Sequence, residues 1–223
     1  MYKIIKRFFD FLSSLIALLI LSPLLIPIVI ALMLTGEGYV FYFQKRIGYK
    51  NQYFDIWKFA TMLKNSPNMG TGSLTLRNDP RVTPVGKYLR KSKINELPQL
   101  INVLLGSMSV VGPRPQMEVD FKAYSEEVQK VIYNVKPGIT GIGSIVFRDE
   151  EKIISESDLP PREIYEQLIA PYKGKLEIWY QKNISFYTDF MIIMLTIWAI
   201  LFPESDLHFK VFKDLPERPD HLK

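Results

Sequence analysis

The stretch Asn95-Glu96-Leu97-Pro98-Gln99-Leu100, followed by a run ending at Gly106 and then by Val111-Gly112-Pro113-Arg114-Pro115, decides how this chain is read. From Leu97 the apolar residues fall at Leu97, Leu100, Ile101, Leu104 and Leu105. That is the i, i+3, i+4, i+7, i+8 spacing of a helix with one buried stripe. Asn95 suits the N-cap, and Glu96 falls in the first turn, where the helix dipole favours an anion. Pro98 comes early enough to need no helical hydrogen bond, and Gly106 is placed to end the helix. The pattern sets one carboxylate at a helix start, beside free backbone N–H groups that could meet a phosphate. Lys87, Arg90, Lys91 and Lys93 precede it and Arg114 follows. A carboxylate among cations is what chemistry on a phosphate ester requires. The same residues also read as an ordinary capped helix with solvated lysines, and the pattern alone leaves both open.

Taken as a longer motif, the run from Lys93 to Leu104, then Gly106, Met108-Ser109 and Val111 to Pro115, resembles the bacterial sugar transferases. These are the monotopic phosphoglycosyl transferases that start glycan assembly on polyprenyl phosphate. The similarity extends upstream to Gln44-Lys45-Arg46-Ile47-Gly48, Lys58-Phe59 with Thr61-Met62, and Asp79-Pro80-Arg81-Val82-Thr83 with Gly86. Downstream it includes Lys136-Pro137-Gly138-Ile139-Thr140-Gly141, and it covers roughly residues 1 to 200. The resemblance implies transfer of a sugar 1-phosphate from a nucleoside diphosphate sugar, a UDP-sugar by the family's habit, to polyprenyl phosphate. The product would start capsule, O-antigen, exopolysaccharide or glycoprotein glycans. It also implies Mg2+, which the charge of a pyrophosphate calls for as well.

Three departures bear on the chemistry. The family's catalytic pair is Asp-Glu, with the Asp forming a covalent phosphosugar intermediate, and here the pair is Asn95-Glu96. An uncharged amide cannot serve as that nucleophile, nor is it a comparable Mg2+ ligand. The usual basic residue after Lys-Phe is Ala60, and the common Gly-Asp-Met-Ser is Gly106-Ser107-Met108-Ser109. Three scattered changes fit a natural, divergent branch better than one laboratory substitution. Glu96 is left as the candidate essential carboxylate, either as nucleophile or as base for direct attack by the lipid phosphate. Lys58, Arg81, Arg114 and Arg46 are the candidate phosphate contacts, and Asp79 with Glu96 the candidate metal ligands. Asp79 reads equally as a turn former. The rival is an inactive relative that binds lipid phosphate or a partner enzyme as a membrane scaffold.

At 223 residues the chain suits one domain with a real core. The absence of cysteine excludes disulfides and thiolate metal sites. A net charge of +5 permits an anionic partner without choosing among them. From Phe11 to Leu34 no residue is charged, a length that can span a bilayer. Pro23, preceded by Ser22, and Pro27 interrupt it, and Ser22 could serve a carbonyl that Pro23 frees. Lys3, Lys6 and Arg7 lie before the segment; Lys45, Arg46, Lys50 and Lys58 lie after it. Positive charge on both sides predicts two cytoplasmic ends and a re-entrant hairpin, with arms of about 11 residues or roughly 17 Å. A kinked spanning helix is the alternative. The hairpin would let a soluble donor and a buried lipid phosphate meet at one depth, on the cytoplasmic face of a bacterial inner membrane.

Residues 39–44 and 52–59 predict a β-hairpin around Gly48-Tyr49-Lys50-Asn51. Asn65 to Gly72 reads as a connector, and Pro113-Arg114-Pro115 as a rigidly presented guanidinium suited to phosphate. Glu118 to Tyr133 predicts one amphipathic helix, and Ile139 to Phe147 irregular backbone near the site. The charge cluster Arg148 to Glu151 reads as a solvated loop, Glu163 to Gln181 as a helix, and Phe190 to Phe202 as a buried or interfacial helix. The expectation is an α+β fold, mainly helical with a small hairpin. It is organised as a re-entrant membrane hairpin (1–36), a cytoplasmic-face transferase domain (37–203) and a peripheral tail (204–223). Membrane lipids are expected partners and a homodimer is compatible, whereas no motif suggests nucleic acid. His208 and His221 both lie in the tail, away from every motif.

Overall fold

The computed structural model describes residues 1–69, 79–157 and 159–219. It is the expected mixed fold, mainly helical with a small antiparallel hairpin. The first element, α1 (Tyr2–Leu34), stays helical through both Pro23 and Pro27. The N–H that Pro23 lacks would have served the Leu19 carbonyl, and the Ser22 hydroxyl donates to that carbonyl instead, at 2.8 Å. The expected hairpin is therefore not built as two separate helices. The helix is long and apolar enough to cross a membrane, and Ile16, Leu19, Ile20, Leu24 and Ile26 along its middle are exposed. Both of its ends, however, pack on the same body. Near the start, the Tyr2 hydroxyl and Lys6 Nζ reach Asp189 at 2.6 and 2.5 Å, and Asp10 accepts the Val110 N–H at 3.0 Å. Toward the end, Leu25, Ile28, Val29 and Leu32 pack with Phe59 and Leu89. Lys6 and Arg7, read from the sequence as flanking charges, are thus taken up in internal contacts.

The hairpin forms as predicted from its aromatic and β-branched residues, with β1 (Phe41–Ile47) pairing antiparallel to β2 (Tyr53–Phe59). Its turn needs left-handed backbone at Lys50 and Asn51. Strand alternation sets Gln44 and Arg46 on one face with Phe54, Ile56 and Lys58, through the pairs Gln44↔Ile56 and Arg46↔Phe54. Ile56 is buried against Val103 and Met108, so this face turns toward α3 (Gln99–Leu105). Before α3 comes α2 (Pro84–Lys91), capped by the Thr83 hydroxyl on the Gly86 N–H.

The segment 139–147, expected to be irregular, is ordered as β4 (Gly138–Thr140) and a short helix (Ile142–Val146). β4 runs parallel to β3 (Ser109–Val111), and the two chains approach so closely that a Cβ on Gly138 would lie 2.1 Å from the Gly112 nitrogen. The helix expected over 118–133 is two, α4 (Glu118–Phe121) and α5 (Glu126–Val131). The first ends at Phe121, and Ser125 caps the second on Val128 N–H. With the helix of residues 142–146 counted as α6, α7 (Glu150–Ser155) and α8 (Pro161–Ile164) follow. A π-helical turn at Tyr165–Ile169 leads into α9 (Ala170–Lys182), as the reading of 163–181 anticipates. Helix α10 (Phe186–Leu201) begins earlier than expected because Ser185 caps it, and it leaves Phe190, Met194, Ile197 and Leu201 exposed.

The tail is not peripheral. After α11 (Leu207–Val211), Phe212 and Leu215 are buried in the main core with α9, Trp179 Nε1 donates to Asp214 at 2.8 Å, and Tyr172 donates to the Pro216 carbonyl at 2.8 Å. Isolated anchors within polar, proline-rich sequence hid this docking. His208 is buried there, and His221 lies outside the described residues.

Candidate active site

The helix of the central motif starts later than its spacing suggests. Lys93 adopts left-handed backbone and opens a 3-10 turn over Ile94–Glu96, with Glu96 N–H on the Lys93 carbonyl and Leu97 N–H on that of Ile94. Pro98 has no N–H to give, so α-helix begins only at Gln99 and Asn95 does not cap it. Gly106, at φ +90°, ends it as expected. The predicted stripe is only partly buried, with Leu97, Leu100, Ile101 and Leu104 half-buried. Asn95, Gln99, Asn102 and Val103 face inward, while Leu105 is 70% exposed. The cause is Asn102, whose Oδ1 accepts the Trp57 N–H at 2.9 Å and whose Nδ2 donates to the Asp55 carbonyl at 2.8 Å. Its side-chain amide completes the open edge of β2, and Ser107 donates to its backbone carbonyl.

This splice brings Lys58 of β2 to Glu96. Glu96 Oε1 lies 3.0 Å from Arg114 Nη2 and 3.4 Å from Lys58 Nζ. Burial pushes the Glu96 carboxyl up, but Arg114 and Lys58 together overrule it and hold the group well below the usual carboxylate range. Burial, opposed by Glu96 and aided by Arg46 and Arg114, brings the Lys58 ammonium down to about 8. Burial, and then the charge of Arg114, lowers Arg46 to about 10. Arg46 donates to Gln44 Oε1 and reaches the Pro115 carbonyl at 3.4 Å.

Arg114 is presented by a braced loop, as the two flanking prolines suggest. The Pro113 carbonyl accepts the Gly138 N–H at 2.8 Å, and the Arg114 carbonyl accepts the Tyr133 hydroxyl at 2.8 Å. Gln116 N–H donates to that hydroxyl, and Gln116 Nε2 donates to Tyr124. Tyr133, Gln116 and Asn102 are supporting residues that the sequence reading missed; a tyrosine and two amides carry no spacing signal.

The structure therefore joins Glu96, Lys58, Arg114 and Arg46 into one cationic frame around a carboxylate. It does not bring Arg81 or Asp79 into that frame. Arg81 grips Asp79 at 2.9 and 3.1 Å through Nε and donates to the carbonyls of Ser66 and Met69, a buried tie for its own loop. Asp79 accepts the Arg81 backbone N–H at 3.0 Å, which fits a turn-forming role. Among the described residues no group of three His, Asp or Glu could hold a metal. A Mg2+ that keeps waters and shares substrate phosphates needs only one or two carboxylates. Glu96 meets that need, and beside it the buried Asn95 Oδ1 has no hydrogen-bond partner. Ala60 is buried, leaving no cation there. Glu150, from the charge cluster read as solvated, pairs with the buried Lys173.

Comparison with known proteins identifies the family. The chain matches the bacterial sugar transferase family over residues 1–203. It is 36% identical to the undecaprenyl-phosphate glucose phosphotransferase of Komagataeibacter xylinus, across 90% of this chain and 36% of that protein. It is 35% identical to the UDP-N-acetylgalactosamine-undecaprenyl-phosphate N-acetylgalactosaminephosphotransferase of Aeromonas hydrophila, across 90% of this chain and 44% of that protein. Against the exopolysaccharide production protein ExoY of Rhizobium meliloti (strain 1021) the identity is 34%, across 87% of this chain and 84% of ExoY. The chain thus spans less than half of the first two relatives and most of the third. The residues that frame Glu96 all fall inside the matched region, and the chain belongs to the bacterial sugar transferase family.

Proposed function

We propose that this chain is a phosphoglycosyl transferase that moves a sugar 1-phosphate from a nucleoside diphosphate sugar, foremost a UDP-sugar, to polyprenyl phosphate, releasing the nucleoside monophosphate. The observation that carries this reading is the Glu96 carboxylate held between Lys58 and Arg114. The relatives' names, which specify undecaprenyl phosphate, support the acceptor class. Lys58, Arg114 and Arg46 bind and orient the diphosphate oxygens. The attacking lipid phosphate carries its own ionised oxygens and needs no base, which favours Glu96 as nucleophile over Glu96 as base. Its oxygen attacks the sugar-bearing phosphorus and the bond to the nucleoside monophosphate breaks. An oxygen of polyprenyl phosphate then attacks the same phosphorus and frees the carboxylate. Mg2+ arriving with the diphosphate would neutralise pyrophosphate charge, held by Glu96 and the Asn95 amide oxygen. The exposed apolar middle of α1 and the exposed row on α10 support seating on a membrane, and the return of both α1 ends to one body supports a re-entrant placement on the cytoplasmic face.

The test is nucleoside monophosphate release from a panel of UDP-sugars, with the full chain, Mg2+ and polyprenyl phosphate. The unmodified chain is expected to turn over at least one donor, Glu96→Gln to be silent, and intact mass to find the phosphosugar on Glu96. Silence from the unmodified chain with activity in Asn95→Asp would mean a site disabled at one group. Silence from both, with donors bound, would make the chain a scaffold.

A further inference from the structure

Arg7 of α1 makes two hydrogen bonds with the end of α3: Nη1 to the Val103 carbonyl at 2.6 Å and Nη2 to the Leu104 carbonyl at 2.7 Å. These carbonyls are among the last in the helix and sit at the negative end of its dipole. The fit is close, since a Cβ on Gly106 would lie 3.0 Å from Arg7 Nη2. Asp10, one turn later on α1, takes the Val110 N–H just beyond the helix. The other end of α3 continues through the 3-10 turn to Asn95 and Glu96, and its middle is spliced by Asn102 to the strand that carries Lys58. α1, α3 and β2 are therefore one mechanical unit, with Arg7 at one end and the Glu96–Lys58 pair at the other.

We propose that Arg7 is a positioning residue: by clamping the C-terminal carbonyls of α3 it transmits the seating of the apolar helix to the placement of Glu96. A guanidinium fork can serve two adjacent carbonyls, whereas a lysine keeps the charge and loses the fork. The kinetic consequence rests on the transferase reading; the mechanical one does not. The test uses the full chain in lipid nanodiscs, comparing Arg7→Lys, Arg7→Ala and the exposed control Lys3→Gln. Hydrogen exchange over residues 95–106 needs no turnover, and kcat and KM are measured with a donor the unmodified chain uses. Arg7→Lys is expected to stay in the bilayer, to exchange faster over 95–106, and to lose about tenfold or more in kcat with donor KM little changed, the size a small misplacement costs. Guanidinium should restore kcat to Arg7→Ala, and Lys3→Gln should match the unmodified chain. The proposal is overturned if Arg7→Lys exchanges and turns over normally, or if Lys3→Gln loses as much. Absence of nucleotide release by the unmodified chain would remove the transferase reading, while the exchange result alone still decides the clamp.

Discussion

Lys58 turns the site's electrostatics into a measurable pH limb. Its ammonium titrates near 8 because burial and two arginines outweigh the help of Glu96. A lowered pKa means that the proton, and with it the phosphate contact, is lost as pH rises through that value. We expect kcat/KM to fall above about pH 8 in the unmodified chain and to stay flat there in Lys58→Arg, whose charge does not titrate. Glu177, 2% exposed on α9 with one oxygen lacking a partner, behaves oppositely. Burial raises its carboxyl from 4.5 to about 7, against the pull of Lys173. The folded state then holds a proton that the unfolded chain releases, so stability falls as pH rises from 4.5 to 7 and the penalty is complete above that. Glu177→Gln should therefore melt higher than the unmodified chain at pH 8 and not at pH 5. About 1–3 kcal/mol is at stake, or roughly 2–4 °C per kcal/mol. The titration that checks it is a melting series in one detergent. Glu96, Lys58 and Arg114 were legible in the sequence because motif and charge coincide. The contact between Asp79 and Arg81 was not legible, because a motif does not reveal that two of its members pair with each other.

Asn102 joins two elements that share no regular hydrogen-bond ladder. Its amide serves the Trp57 N–H and the Asp55 carbonyl on the outer edge of β2, which carries Lys58. Asn102→Ala would leave both backbone groups buried without partners, at a cost of about 2–4 kcal/mol in all. Denaturant unfolding should show that loss, and transfer activity should drop further than stability does, because the Lys58–Glu96 spacing is no longer held. A normal rate from a folded Asn102→Ala would sink the splice as the site's ruler. The same residue explains the limits of reading elements from spacing. The hairpin and Gly106 followed from local propensity, and α10 from its uncharged run, although its Ser185 cap did not. The inward face of α3 did not, since an apolar stripe announces burial without saying whether protein or lipid covers it. On α3 the polar stripe meets protein, and Leu105 is left facing out. The gap between α4 and α5 was likewise lost inside an otherwise periodic run, although Ser125 supplies the cap that starts α5.

At the scale of the whole molecule, the decisive fact is that α1 is fastened at both ends to one body. A straight helix of 33 residues is about 50 Å long, more than a hydrocarbon core is thick. Were it to span, one end would face the opposite side of the membrane from the other. Either the Lys6–Asp189 pair and the Arg7 clamp would be lost, or Leu32 would leave Phe59 and Leu89. Both sets of contacts are kept in the proposed re-entrant seating, in which the exposed middle around Ser22-Pro23 dips into the bilayer and returns. Because the sequence contains no cysteine, a single one can be placed at will. Lys3→Cys and Lys45→Cys, both at exposed positions on either side of α1, should react with a membrane-impermeant maleimide from the same face of sealed vesicles, and Ile20→Cys from neither. Labelling of residues 3 and 45 from opposite faces would make α1 a spanning helix. It would also mean that one of its two docking sites is not formed in the membrane, and with it either the Arg7 clamp on α3 or the packing of Leu32 that supports β2.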